Sequence, residues 1–301
     1  MELITKEAAI ALSKKRLTVA FYLQDRVEVL DFAGPMEILS YGGFDIFTVS
    51  KTKDPINAQG ILTIIPDYSI DDAPKADILA FFGGNAASAT NDPELIEWVK
   101  KQQDVQYYFS VCTGAFILAE AGILADKTAT TFHSALNSLE KNYPDTKVLK
   151  GVRYVDNGNT ITTAGISAGI DGALHLVAKI HGLKKAKEVA FHTEYDKWIP
   201  GEGLHLTKED IYESDSSQEV FQAFVGTFTN EGRPTAEIVF NAHHNGIELK
   251  YKGQKTPLLQ IAKDVFKDAA GNFFTFQREA SGSISSYYHS GSARIWKKTI
   301  K

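Results

Sequence analysis

Several things are scarce in this chain. One cysteine in 301 residues excludes an intramolecular disulfide and any cysteine-rich zinc centre, and it sets the expectation of a reducing compartment. No run reaches the roughly 18 consecutive apolar residues that carry a helix across a bilayer, so no membrane partner is expected. The start, "MELITKEAAIALSKKRLTVAFYL", lacks a basic stretch followed by an apolar one, because Glu2, Lys6 and Glu7 break it up. A cytoplasmic location is expected, or a periplasmic one if the start has been processed or trimmed. Excess positive charge is also missing. The net charge is -5, with about +4 over 218–301 and about -9 over 1–217. No dense basic stripe results, so nucleic acid is not an expected partner.

What is present is a regular alternation. "LTVAFYL" (17–23), "FDIFTVS" (44–50), "ADILAFFGG" (76–84) and "VQYYFSVC" (105–112) are short apolar runs of the kind buried on both faces of a sheet. Helical patterns over 27–40, 93–102 and 113–122 lie between them, which predicts a mainly parallel sheet sandwiched by helices. "VRYVDNGNTITTAG" predicts two strands around an Asn-Gly turn, followed by a helix over 166–182. In that helix the small residues Ala168, Gly169, Gly172 and Ala173 permit close approach to the sheet or to a partner helix. After Trp198 the pattern changes. Residues 201–217 are polar and read as a linker. From 218 to 301 short aromatic strands of period two, with a hairpin signal at Asn245-Gly246, predict a small antiparallel β-domain.

The lone thiol, Cys112, ends a predicted strand and precedes a helix. In open α/β sheets, ligands bind at the carboxyl ends of strands. Ser110 and Gly114 supply the small neighbours that a sharp strand-to-helix turn requires. A helix N-terminus favours the thiolate. The plain alternative is a structural cysteine in the core. Asp31 sits within the apolar segment "VEVLDFAGPMEIL", either as a cap for a helix starting near Pro35 or facing Cys112 as a protonated carboxyl that donates to the thiolate. Gly83 and Gly84 either turn the chain or offer backbone N–H groups to a developing anion. His133 is either a base near the thiol or a surface histidine at a helix start. His243-His244 has no partner at metal-ligand spacing, and His175 and His181 fall in a helical pattern where a core or surface role is commoner than ligation. "GISAG" (165–169) matches a serine-nucleophile pattern only superficially, because its small residues have a packing explanation.

Together, "VLDFAGPMEIL", "FFGGN", "FSVCTGAFILAEAGILADKTATTFH" and "ITTAGISAGIDGALHLV" resemble the ThiJ/PfpI superfamily over about 16–200, with isonitrile hydratases and the amidotransferase-like domains of AraC-type regulators as the nearest groups. The resemblance implies a flavodoxin-like α/β domain over 1–200, usually dimeric, with Cys112 as nucleophile and Asp31 as proton shuttle. Thr113 would contribute its N–H and hydroxyl, while Gly83, Gly84 and His133 would line the pocket. It also implies a small-molecule hydratase or hydrolase that needs no metal and no organic cofactor. In the hydratase reaction the thiol adds to an isonitrile carbon, and water releases an N-substituted formamide. Two departures are visible. Thr113 stands where the superfamily's proteases carry histidine, so protease activity is not expected. His133 is displaced by one position from a Thr-Thr-His-Trp pattern, which alters the pocket. Residues 218–301 are similar to small lipocalin-like, half-open β-domains appended to β-lactamase-like serine hydrolases, and no helix-turn-helix pair is visible. The same elbow would also serve a non-catalytic thiol sensor or ligand-binding protein.

Overall fold

The computed structural model describes residues 16–102, 104–195, 198–201, 203–206, 218–241, 246–268, 270–290, 292 and 294–299. His243-His244 and most of the expected linker, 207–217, lie outside them. The chain divides into two compact units. One runs to Gly182 and includes a short strand at 204–205; the other comprises 183–200 and the C-terminal strands.

The first unit is built on twelve strands: β1 (Thr18–Tyr22), β2 (Asp45–Ser50), β3 (Ile56–Ala58), β4 (Leu62–Ile64), β5 (Tyr68–Ser69), β6 (Ile78–Phe81), β7 (Tyr107–Ser110), β8 (Thr128–Ala129), β9 (Lys147–Val148), β10 (Tyr154–Asp156), β11 (Thr160–Thr163) and β12 (Leu204–His205). Eight of them form one sheet in the order β12-β10-β11-β7-β6-β1-β2-β5. Every pairing is parallel except β10 with β11, the hairpin at Asn157-Gly158. The mainly parallel, helix-covered sheet expected from the alternation is what forms. In β1 and β6 both faces are buried, as their uninterrupted apolar sequences require.

Helices cover both faces. Ala20, Tyr22, Leu79 and Phe81 pack with Leu95, Val99, Ile117 and Leu118 from the helices Pro93–Lys101 and Ala115–Glu120. Asp92 caps Pro93–Lys101, accepting the N–H groups of Glu94 at 3.1 Å and Leu95 at 3.4 Å. On the other face lie the helices Val29–Gly42 and Ala168–His181. A β-carbon on Gly169 would stand 2.9 Å from Val111 and 3.2 Å from Pro35, and one on Gly172 would stand 3.2 Å from Phe109. The small-residue stripe therefore serves close packing on the sheet and on the neighbouring helix. His175 is fully buried, at 2.8 Å from Asp156, which also accepts from Lys179 at 2.8 Å. Of the core and surface roles that the helical pattern left open, His175 takes the core one.

The second unit is a closed barrel of β13 (Gly226–Thr229), β14 (Ala236–Asn241), β15 (Gly246–Tyr251), β16 (Gln254–Ala262), β17 (Val265–Lys267), β18 (Phe273–Arg278), β19 (Ile284–His289) and β20 (Trp296–Lys298). All neighbours are antiparallel. The expected half-open form is corrected to a closed one, because β13 pairs with β20 through Phe228 opposite Lys298 and Thr229 opposite Lys297. Eight strands enclose a space that side chains can fill. Phe228, Phe266, Phe276, Tyr287 and Trp296 fill it, together with Phe221 and Phe224 from and just beyond the short helix Gln218–Gln222. The Phe224 ring meets Phe266 and Phe276 edge-on, at 5.0 Å each. Among the described residues, no helix is long and apolar enough to cross a membrane.

Candidate active site

The turn after β7 sets the geometry. Cys112 has φ 57°, a left-handed conformation that costs a side-chain-bearing residue about 1 kcal/mol or more. The chain then passes through one tight turn, Cys112–Gly114, into the helix Ala115–Glu120. Hydrogen bonds from three directions hold this conformation. Val111 N–H donates to the Phe81 carbonyl at 2.9 Å, and Cys112 N–H donates to the Ala164 carbonyl at 3.1 Å. The Thr131 hydroxyl donates to the Cys112 carbonyl at 2.7 Å. Gly114 is needed because a β-carbon there would strike the Phe81 carbonyl and lie 2.7 Å from Phe82 N.

Asp31 lies in the first turn of Val29–Gly42 and is completely buried. The helix begins two residues before it, with Glu28 at the N-cap, so Asp31 does not cap it. Its carboxylate accepts two backbone N–H groups from elsewhere in the unit: Gly83 to Oδ2 at 2.9 Å and Ile166 to Oδ1 at 3.1 Å. A β-carbon on Gly83 would stand 2.7 Å from both Asp31 Oδ2 and Cys112 Sγ. Glycine is thus what allows acid and thiol to converge, and the thiol faces the carboxylate closely enough to share a hydrogen bond with it.

The electrostatics decide where the proton sits. Burial pushes Asp31 up to about 6; the Gly83 N–H and the thiol draw it down, the charge on Glu28 pushes it up, and the Ile166 N–H draws it down. Burial, followed by the charge on Asp31, pushes the Cys112 thiol up to about 12, against the opposing pull of the Thr113 N–H and hydroxyl. Both shifts run toward the protonated form and the thiol starts from the higher value, so burial favours the proton on sulfur over the carboxyl. The sequence pattern led to the opposite expectation, a thiolate beside a protonated carboxyl. Burial of the sulfur outweighs the helix N-terminus. The Thr113 hydroxyl, set against the sulfur, has no other hydrogen-bond partner among the described residues.

Gly84 takes φ 90° and packs its backbone against residues 26–28, where a β-carbon would strike the Arg26 carbonyl. Gly83 and Gly84 therefore form the strand-ending turn, and the Gly83 N–H goes to Asp31. His133 is exposed, with its ring 4.2 Å from that of Phe132. From its segment, Thr131 is the residue bonded to the Cys112 turn. Ser167 of "GISAG" is exposed and accepts from Arg153 at 3.4 Å. The chemistry of that motif lies instead in Ile166, whose φ of 55° aims its N–H at Asp31. Sequence reasoning also missed Gln24. Its buried amide donates to the carbonyls of Phe82 at 2.9 Å and Gly83 at 3.0 Å, fixing the turn beside Asp31. A glutamine closing the apolar run "LTVAFYLQ" was the available signal.

Residues 17–179, which carry the whole of this site, match the DJ-1/PfpI family. The chain belongs to the DJ-1/PfpI family. Among its relatives in that family, isonitrile hydratase of Pseudomonas putida is 32% identical over 60% of this chain and 78% of that protein. The HTH-type transcriptional regulator CdhR of Pseudomonas aeruginosa is 30% identical over 47% of this chain and 42% of the regulator. A ThiJ/PfpI family protein from Pseudomonas syringae is similar in structure, with a TM-score of 0.58 and 26% identity, over 66% of this chain and 84% of that one. The likeness therefore extends to an isonitrile hydratase and to an HTH-type transcriptional regulator alike, and what this chain does rests on its own site.

Proposed function

We propose that this protein is a cysteine-dependent hydratase of small neutral electrophiles, acting on isonitriles to give N-substituted formamides. The observation that carries the reading is the buried pair of Cys112 thiol and Asp31 carboxylate. Addition to an isonitrile carbon requires both a sulfur and a hydrogen, and a neutral thiol beside a base supplies both. In the first half, Asp31 takes the thiol proton as sulfur bonds to the terminal carbon, then returns it to that carbon, giving a thioimidate. In the second half, Asp31 takes a proton from water as its oxygen adds to the same carbon. The C–S bond breaks, nitrogen has gained one proton, and the sulfur recovers the other. The net change is addition of one water. Thr113 stabilises sulfur anion through its N–H and hydroxyl, and the Gly83 N–H keeps Asp31 aimed at the thiol. The reaction as proposed draws on side chains, backbone N–H groups and water.

A thiol sensor oxidised without turnover is the other use of such an elbow. Peroxide reacts with thiolate, and a thiol held neutral by burial favours the hydratase reading. Incubation with cyclohexyl or phenyl isonitrile, followed by mass spectrometry of the formamide, tests it. Product formation that disappears in Cys112→Ala is expected. No product, together with selective sulfinic acid formation at Cys112 under mild peroxide, would refute the hydratase. We further propose a homodimer, supported by Ile61, Leu62 and Ile65 standing 77%, 44% and 71% exposed on and beside the β3–β4 hairpin.

A further inference from the structure

The proposed reaction uses Asp31 but leaves a second carboxylate beside it unassigned. Glu28 stands at the extended N-cap of Val29–Gly42, and Asp31 is the third residue of that helix's first turn. It is fixed from two sides. Its N–H donates to the Gly83 carbonyl at 3.1 Å, and its carboxylate accepts from Gln59 in the loop between β3 and β4. The Glu28 side chain is half-buried, and its charge reaches Asp31. The nearest cation in sequence, Arg26, is exposed and directed toward Gly60, 4.0 Å from where a β-carbon of that glycine would be. Among the described residues, no cation is hydrogen-bonded or ion-paired to Glu28 or Asp31. Two carboxylates without a paired cation thus flank Gly83, the residue packed against the thiol: Asp31 accepts its N–H, and Glu28 donates its own N–H to the Gly83 carbonyl.

We infer that Glu28 is a specificity-determining residue that makes the Cys112 site reject anionic electrophiles and accept uncharged or cationic ones. The inference deepens the hydratase reading by restricting its substrates to those without a carboxylate or phosphate near the reacting carbon. Glu28 touches no reacting atom. It acts through the potential at the thiol, to which a half-buried carboxylate one residue's backbone away from Gly83 contributes.

The test does not require turnover. Alkylation of Cys112, the only thiol in the chain, is timed by intact mass with iodoacetamide and with iodoacetate, and each rate is divided by that for free glutathione. The wild type is expected to favour iodoacetamide by about tenfold in this normalised ratio, Glu28→Gln to bring the ratio to about threefold or less, and Glu28→Lys to bring it to one or invert it. A wild-type ratio near one would overturn the proposal, as would one that stays the same across the charge series. So would failure of both reagents to reach Cys112 in protein whose thiol titrates fully after unfolding. The formamide assay stands apart. Isonitrile turnover with a flat charge series sinks only this inference, whereas a graded series without turnover sinks only the hydratase.

Discussion

Replacing Asp31 by asparagine removes a titrating group whose cost to the fold follows from its surroundings. An ordinary aspartate ionises near 3.8, whereas burial holds Asp31 up to about 6. The folded chain therefore binds this proton more tightly than the unfolded chain does. The stability it contributes is complete below about pH 4 and is lost as pH rises through about 6. That difference is worth about 3 kcal/mol. The asparagine side chain keeps one oxygen, so one of the N–H groups of Gly83 and Ile166 loses its acceptor, at a cost of about 1–3 kcal/mol that does not vary with pH. The sign of the difference between the two proteins at any single pH is accordingly not diagnostic; its slope is. Urea unfolding between about pH 4 and about pH 7.5, read by hydrogen exchange in peptides from the first unit, should show the wild type losing about 2.4 kcal/mol relative to Asp31→Asn. Parallel stability curves, within about 1 kcal/mol, would refute the assignment of a raised carboxyl at this position.

The same carboxyl governs rate. kcat/KM for formamide release should rise with pH and level off above about 6, while Asp31→Asn stays lower by about 100-fold or more without that inflection. Gly83→Ala places a methyl 2.7 Å from both Asp31 Oδ2 and Cys112 Sγ. It should cost about 1–3 kcal/mol in thermal unfolding and abolish formamide formation, and retained activity would mean that the pair need not meet. Sedimentation should give a dimer, and Ile61→Glu with Ile65→Glu a folded monomer; a dimer unaffected by the double change places the contact elsewhere.

Much of the α/β unit was legible because it is written locally. Apolar runs of strand length, Asp92-Pro93 at a helix start and Asn157-Gly158 at a hairpin each specify a segment from a few neighbouring residues. Cys112 and Asp31 were legible for a related reason: one sits at a strand-to-helix junction and the other is a carboxylate in an apolar segment. The location of their proton was not, since it depends on burial from all sides, which no spacing encodes. Ile166 was hidden because a backbone N–H carries no signature of its own in sequence. His133 looked chemical by type, but its neighbours in sequence, Thr131 and Phe132, are the residues that turn inward. In the barrel, period-two alternation located the strands. Closure depended on residues at opposite ends of that unit, and Phe228 says nothing of Lys298.

That last pairing has a kinetic consequence. The first and last strands of the barrel join to each other, so the ring forms only after the intervening strands are in register, and contacts so distant along a chain are slow to form. Until then, β13 and β20 present unpaired edges that can zip onto another molecule. Loss of the short stretch Trp296–Lys298 would make that transient condition permanent. Heating or nicking near β20 should therefore produce aggregates through the barrel before the thiol site itself is disturbed.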